Sequence, residues 1–101
     1  MDYGKLIYQQ RDTPPKQHTL RLGSTTLGRD AGNDLVLDAD GISRYHARII
    51  CTPTDCTITD LESTNGTLVN GVPAQPDEPM QLMNGNIIQL GYVWARYCAP
   101  L

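Results

Sequence analysis

Three short polar segments of the chain carry the side chains that could do chemistry. They are Gly28-Arg29, Ser43-Arg44-Tyr45-His46 and Ser63-Thr64-Asn65-Gly66. An arginine holds a phosphate through two parallel N–H donors, and the hydroxyls of Ser43 and Thr64 add further donors. An asparagine amide can bond to a peptide backbone through both its C=O and its NH₂ group. Brought together, these groups suit a phosphorylated peptide better than a free anion.

The densest group of turn signals in the sequence surrounds the third segment. Two Asn-Gly pairs, at positions 65–66 and 70–71, are separated by the alternating run Thr67-Leu68-Val69. Asn-Gly pairs favour the positive φ angles of tight turns. We therefore predict a loop over residues 62–66, then a very short strand and a second turn. The loop offers two hydroxyls, one amide and several backbone N–H groups, which can hold an anion or a peptide backbone.

Each of these features also has an ordinary explanation. The two Asn-Gly turns can be plain surface hairpins, and Asn65-Gly66-Thr67 also matches the N-glycosylation pattern, which applies only to secreted proteins. An isolated Arg29 is more often a solvated charge at a strand end. Ser43 and Thr64 can be turn hydroxyls, and His46 can be a hydrogen-bonded core histidine.

An enzyme is the alternative from a different class. Ser43 and His46, joined by Asp60 or Asp34, have the residue types of a Ser-His-Asp hydrolase. The sequence has no Gly-x-Ser-x-Gly elbow, however, and a serine three residues before its histidine points poorly for proton transfer. We therefore expect no enzymatic activity.

Length and charge limit the class of protein. The chain has 101 residues, so we expect one domain over residues 1–101. A domain of this length can bury roughly 60–70% of the surface that its unfolded chain exposes. The formal net charge of −3 argues against a general affinity for nucleic acid phosphates or anionic membranes. Any anion that the domain binds must therefore be captured locally.

The cysteines and histidines predict no metal site and no cofactor. Cys51, Cys56 and Cys98 form an odd set without CxxC spacing, and His18 and His46 complete no metal-ligand pattern. The N-terminus lacks a signal-peptide core and no apolar run could span a bilayer, so we expect a cytoplasmic domain. We interpret the cysteines as small apolar core residues. Cys51 and Cys56 can face each other across a hairpin, but a disulfide there is not expected in a reducing compartment.

The elements that must position the polar segments are short strands. Nine glycines and seven prolines are spread along the chain, and apolar residues alternate with polar ones, so the pattern predicts an all-β fold. We predict a β-sandwich of about eleven short strands. The predicted strands are 5–9, 18–22, 25–29, 35–37, 46–52, 56–60, 67–69, 80–82, 86–90 and 92–98, with an edge segment within 72–78. A sandwich gathers alternate loops at one end, so we expect the three polar segments to meet there.

Taken in order, the motifs resemble the forkhead-associated domain family. The resemblance rests on Gly28-Arg29, Asn33-Asp34-Leu35-Val36-Leu37, Ser43-Arg44-Tyr45-His46, Asp60-Leu61-Glu62-Ser63-Thr64-Asn65-Gly66-Thr67 and Asn70-Gly71. It covers about residues 20–93, and the motifs stand in the order and spacing of the family. It implies a sandwich of about eleven strands that binds phosphothreonine peptides.

The resemblance also implies which residues contact the ligand: Arg29, Ser43, Arg44, Thr64 and Asn65. Arg29 and Ser43 would contact the phosphate, while Thr64 would help to hold the phosphothreonine. Asn65 would bond to the peptide backbone, and Arg44 would touch the peptide or its phosphate.

Four further residues are implied to support the site: Gly28, His46, Gly66 and Asn70. His46 would bond across the loops and hold Ser43 and the 63–66 loop in place. The sequence departs from the family at Asn86, where Asp is frequent, and at Leu68, where an aromatic is common. Both departures lie outside the binding loops and concern local packing.

The implied partner is a phosphothreonine-containing protein, such as a Ser/Thr kinase or its substrate, which the domain would recruit in kinase signalling. The alternative is a phosphate-independent interaction scaffold of the same fold. The presence of Arg29, Ser43 and Asn65 argues against that alternative. Gly41, two residues before Ser43, offers no charge with which to select an acidic residue near the phosphothreonine. Family habit also predicts further domains after Leu101 in the parent protein.

Overall fold

The computed structural model describes residues 3–10 and 12–100, and these form eleven strands in two sheets. The predicted all-β sandwich is therefore confirmed. No helix of the described residues is long and apolar enough to cross a membrane. The strands are β1 (Lys5–Gln9), β2 (Lys16–Thr19), β3 (Gly23–Gly28), β4 (Leu35–Val36), β5 (Ala47–Cys51), β6 (Cys56–Asp60), β7 (Thr67–Val69), β8 (Val72–Pro73), β9 (Met80–Leu82), β10 (Ile87–Leu90) and β11 (Val93–Cys98).

The two sheets differ in strand number and pack face to face. One has six strands in the order β2-β1-β11-β10-β7-β8, and the other has five in the order β4-β3-β5-β6-β9. The pairing of β3 with β4 is parallel, and the other pairs are antiparallel. The three polar segments lie after β3, before β5 and between β6 and β7. Each one therefore begins or ends at a strand of the five-stranded sheet. The sheet thus sets the positions of all three polar segments.

Alternation along the strands builds the core between the sheets. In β5 every second residue is buried, and in β11 the buried residues alternate with exposed ones. Burying a Leu or Ile side chain contributes roughly 1.5–3 kcal/mol, so this core dominates the stability of the fold. The large apolar side chains that are completely covered are Leu6, Leu20, Leu27, Leu37, Ile49, Ile58, Ile88 and Leu90.

The predicted strand at 18–22 is wrong in its position. The strand β2 ends at Thr19, opposite Lys5 of β1, and the chain then leaves the sheet. Leu20 enters the core, where its N–H donates to the Gly4 carbonyl at 2.8 Å, but Leu22 remains 58% exposed. The apolar pair at 20 and 22 therefore marks a crossover between the sheets and not a strand. Arg11 and the ends of the predicted 1–101 domain lie outside the described residues.

The predicted hairpin at 46–52 and 56–60 is confirmed as β5 and β6. Its register places Cys51 directly opposite Cys56, and the two residues form a disulfide. Both cysteines are buried in the core as predicted, but the expectation that they form no disulfide is wrong. It relied on the compartment, whereas the hairpin register brings their Cα atoms to 4.1 Å. Cys98 is free and half-buried.

The Asn-Gly pairs at 65–66 and 70–71 lie in turns as predicted, but the backbone φ angles of the two turns differ from each other. Both residues of the second pair have positive φ, 48° at Asn70 and 80° at Gly71. In the first loop the positive angles fall at Glu62 (55°) and Gly66 (84°) instead. The loop therefore begins and ends in left-handed conformations, which fold its polar residues between them.

Candidate functional site

The three polar segments meet at one end of the sandwich around an open depression of about 330 Å³. An adjoining depression of about 510 Å³ is lined by Arg29, Ser43, Arg44, Tyr45 and Thr64. Arg29, Ser43 and Thr64 border both spaces. All five residues implied to contact a ligand therefore line this one surface, which in the first depression also includes Asn65.

Arg29 stands just beyond the end of β3 and is exposed. Its backbone N–H donates to the Ser43 carbonyl at 3.0 Å, and its Nε–H donates to the Ile42 carbonyl at 3.1 Å. A guanidinium has five N–H donors, so the two Nη groups keep four of them for a ligand. The Nε bond orients the guanidinium without occupying the face that can hold a phosphate.

Gly28 allows the approach of the two loops that carry Arg29 and Arg44. A Cβ atom at Gly28 would overlap the Arg44 carbonyl oxygen and would lie 2.8 Å from Asn33 Nδ2. Since no side chain fits there, glycine is required to bring Arg29 beside the segment that precedes β5.

The Ser43 hydroxyl is oriented by the neighbouring loop. The Thr64 N–H donates to Ser43 Oγ at 3.0 Å, so this oxygen already accepts one hydrogen bond. The hydroxyl proton is then free to be donated into the depression. The same contact fixes the distance between the segment before β5 and the loop between β6 and β7.

His46 is completely buried and joins both loops from below. Its Nδ1 accepts from the Ser43 N–H at 3.1 Å, and its Nε2 lies 2.9 Å from the Gly66 carbonyl oxygen. Because a carbonyl only accepts, Nε2 carries the proton and the ring is the neutral Nε2–H tautomer. Its backbone adds two further bonds, to Leu27 and Leu61. The imidazole therefore supports the two loops from below and is not exposed at the surface of the site.

Thr64 and Asn65 are the exposed residues of the 63–66 loop. Asn65 donates from Nδ2 to the Gly41 carbonyl at 3.0 Å, across the depression from its own backbone. One N–H and the Oδ1 atom of the amide remain for a ligand. Asn65 can therefore act as donor and acceptor to a peptide backbone while it holds the 41–43 segment.

A buried carboxylate that was predicted neither to contact the ligand nor to support the site organises this loop. Asp60 is 2% exposed and accepts hydrogen bonds from the Ser63 N–H, the Ser63 hydroxyl and the Thr67 hydroxyl. Ser63 Oγ accepts in turn from the Gly66 N–H at 3.0 Å. An Asp three residues before a Ser at a strand end is typical of a turn closed by its side chain, and this signal could have identified the network.

Asn33, Asp30 and Tyr45 brace the opposite wall of the site. Asn33 donates from Nδ2 to the carbonyls of Asp30 and Arg44. The Gly32 N–H and then the Tyr45 hydroxyl, which both donate to the Asp30 carboxylate, hold the pKa of Asp30 below its ordinary value. The same bond to Asp30 raises the pKa of Tyr45. The carboxylate thus stays ionised beside the two arginines of the site.

Asn70 is remote from the depressions. Its backbone and its Oδ1 atom both bond to Ile87, at 2.8 and 2.7 Å, which ties the turn after β7 to β10. Asn86 likewise closes its own turn, because its Oδ1 accepts from the Met83 N–H. Both residues act on strand packing and neither lines the site.

Fold and site together define a β-sandwich domain of the class that presents ligand-binding loops at one end of a rigid scaffold. The family model described as FHA domain matches residues 25–91 of the chain. The chain therefore belongs to the FHA, or forkhead-associated, domain family.

Relatives and solved structures agree with this assignment. The chain is 37% identical over 84 residues to FHA domain-containing protein FhaA of Mycobacterium tuberculosis, a match that covers 83% of this chain and 15% of FhaA. A structure from a study of phosphothreonine-dependent FHA domain interactions is 34% identical, with a TM-score of 0.83 and coverage of 96% of this chain and 99% of the other. The FHA domain of CT664 from Chlamydia trachomatis is 25% identical, with a TM-score of 0.87 and coverage of 98% and 99%. The chain thus spans a small part of FhaA but nearly all of these solved domains.

Proposed function

We propose that this domain binds protein segments that contain phosphothreonine and thereby recruits them in Ser/Thr-kinase signalling. The observation that carries the proposal is the set of unsatisfied donors around one depression, namely the Nη groups of Arg29 and the hydroxyl of Ser43. A relative that is 34% identical comes from work on phosphothreonine-dependent interactions of this family, which supports the same ligand class.

The phosphate would lie between Arg29 and Ser43. It carries about −1.5 to −2 charge at neutral pH and three acceptor oxygens, which match two guanidinium N–H donors and one hydroxyl. Arg44, exposed at the adjoining depression, adds positive charge on the same side. The free atoms of the Asn65 amide would bond to the peptide backbone next to the phosphothreonine, and Thr64 would contact the phosphothreonine itself.

Preference for threonine over serine would come from the γ-methyl group. Burying one methyl is worth about 0.8 kcal/mol. The β-branched side chain is also stiffer at χ1, so it loses less freedom on binding. The pocket for this methyl would be lined by the stems of the 63–65 loop and by the residues that precede His46.

We propose further that the domain acts by binding alone. Both ring nitrogens of His46 bond to backbone groups, of Ser43 and Gly66, and the Asp60 carboxylate bonds to Ser63 and Thr67. The Ser43 hydroxyl therefore lacks the base that a hydrolase needs. This hydrogen bonding supports an interaction module over the Ser-His-Asp alternative.

For the extent and compartment of the domain, we propose a single domain over residues 1–101 that works in the cytoplasm. Disulfides are rare in a reducing cytoplasm, so the disulfide between Cys51 and Cys56 is the one observation that does not favour this compartment.

A peptide-library screen tests the proposed ligand class. Oriented libraries with a fixed phosphothreonine should be retained by the immobilised domain, since the phosphate supplies the charge that Arg29 and Ser43 are placed to bind. The same libraries after phosphatase treatment should be lost. Equal retention of treated and untreated libraries would contradict phosphate-dependent binding and favour the phosphate-independent scaffold.

A further inference from the structure

A larger groove continues from the phosphate depression past the end of β1 and the start of β11, two inner strands of the six-stranded sheet. Its volume is about 980 Å³, and Arg29, Ala39 and Asp40 border both the groove and the phosphate depression. The groove extends from there past Asp38 to Tyr92 and Trp94. A peptide that leaves the phosphate site on this side therefore enters the groove directly.

Two exposed aromatic side chains form one wall of the groove. Tyr92 is 73% exposed and Trp94 is 57% exposed, although both are large apolar groups. Trp94 lies on β11 between the buried residues Val93 and Ala95 and faces outward in register with Gln9 of β1. Exposed aromatic groups beside a binding cleft are typical of contact surfaces.

Tyr92 is held against the loop that leads into the phosphate site. A Cβ atom at Gly41 would come within 2.8 Å of Tyr92 Cε2, so the ring covers that glycine. At Gly91 a Cβ would overlap the Gly41 carbonyl group. The carbonyl of Gly41 is also the acceptor for Asn65 Nδ2. The aromatic wall and the proposed peptide-binding amide thus both lie against Gly41.

The opposite wall is acidic. Asp38 and Asp40 are both exposed on the segment between β4 and β5, and they border the groove with no basic residue between them. Arg29 stands at the junction, but a bound phosphate would compensate its charge. Among the described residues that border the groove, Arg29 is the one cation, and the others carry carboxylates, aromatic rings, amides or small apolar groups. Aromatic faces and carboxylates both attract a Lys or Arg side chain.

We propose that this groove binds a Lys or Arg side chain of the same peptide, a few residues away from the phosphothreonine. The inference rests on the proposed function and adds a sequence preference to it. It also fits the charge balance, because a formal net charge of −3 disfavours the approach of an anionic ligand and a Lys or Arg on the peptide offsets this repulsion. Acidic residues at the same position would be disfavoured.

A series of synthetic peptides tests this preference. One phosphothreonine peptide with alanine at every flanking position is compared with versions that carry a single Lys, or a single Glu, at each flanking position in turn. Calorimetry should show that Lys at one or two adjacent positions tightens binding about threefold to tenfold. Glu at those positions should weaken it. The chain has one tryptophan, so the change in its fluorescence on binding should be larger for the preferred Lys peptide than for the alanine peptide.

Two variants assign the preference to the groove. In Trp94→Ala and in Asp38→Asn, the ratio of the affinities for the Lys and alanine peptides should fall towards one. Asp55→Asn, at an exposed turn between β5 and β6, is the matched control and should keep the ratio of the wild type. Asp38 and Trp94 are both exposed, so we expect both variants to fold. A melting curve of each variant checks this, and if one variant does not fold, the other decides the result.

The outcomes separate this inference from the proposed function. If phosphothreonine peptides bind but no position favours Lys, the groove assignment is overturned while the phosphate site stands. The assignment is also overturned if a Lys preference persists unchanged in Trp94→Ala and Asp38→Asn. If no peptide shows phosphate-dependent binding, the proposed function fails and this inference fails with it.

Discussion

Replacement of Arg29 by Ala should weaken the binding of a phosphothreonine peptide by more than a hundredfold and leave the fold intact. The guanidinium has four N–H donors free on its Nη groups, and two of them are expected to bond to the phosphate. Charge-assisted hydrogen bonds contribute about 1.5–3 kcal/mol each, so their loss costs about 3–6 kcal/mol of binding free energy. At about 1.4 kcal/mol for each factor of ten, this exceeds a hundredfold.

The stability of the Arg29→Ala variant should change little. Its side chain is exposed and makes one structural hydrogen bond, from Nε to the Ile42 carbonyl, which is worth about 1 kcal/mol. Calorimetry measures the binding and a thermal melt measures the fold. Arg96→Ala is the matched control, because Arg96 is an exposed arginine on β11 that lines neither depression of the site. An Arg29→Ala variant that binds within a few fold of the wild type would show that the phosphate site lies elsewhere.

Replacement of His46 by Ala should damage the fold first and the binding second. The Ser43 N–H and the Gly66 carbonyl would lose their partner, at about 1–3 kcal/mol for each group left unsatisfied, and a cavity would remain in a completely buried position. We expect a loss of about 3–5 kcal/mol of unfolding free energy. For a domain of this size that corresponds to a fall in melting temperature of roughly 15–30 °C.

The second histidine of the chain provides the control for that measurement. His18 is only half-buried, on the edge strand β2, and His18→Ala should lower the melting temperature far less. A His46→Ala variant that melts like the wild type but cannot bind a phosphopeptide would contradict the structural role. It would place the imidazole in direct contact with the ligand.

Strand boundaries agreed best with the prediction where turn residues lie close to both ends of a strand. Strands β6, β7 and β9 begin and end where the sequence predicted, because turn residues such as Asn-Gly and Pro bound them closely. The strand predicted at 18–22 was wrong because apolar alternation cannot distinguish a strand from a crossover that buries one leucine. The Cys51–Cys56 disulfide was not expected, because a reducing compartment was assumed, although the hairpin register places the two cysteines opposite each other.

In the site, too, residues within short local motifs were predicted, whereas contacts between distant loops were not. Arg29, Ser43, Thr64 and Asn65 were selected by residue type and motif spacing, and the structure brings them to one depression. Their supports were harder to predict, since the contacts of Asn33 with Arg44, or of Asn65 with Gly41, depend on which loops meet in space. The groove at Trp94 was not predicted for the same reason. It joins residues of β11 to the segment between β4 and β5, and no local pattern links them.

The most direct test of the central claim is a calorimetric titration of one peptide in three forms. These forms carry phosphothreonine, phosphoserine or unmodified threonine at the same position and are otherwise identical. The phosphothreonine peptide should bind most tightly. The affinity of the phosphoserine peptide should be lower by a factor of about four or more, because phosphoserine lacks a methyl worth about 0.8 kcal/mol and has a freer χ1. The unmodified peptide should show no measurable binding. Equal affinity for phosphothreonine and phosphoserine would reduce the site to a general phosphate cradle, and equal affinity for the phosphorylated and unmodified peptides would contradict the account.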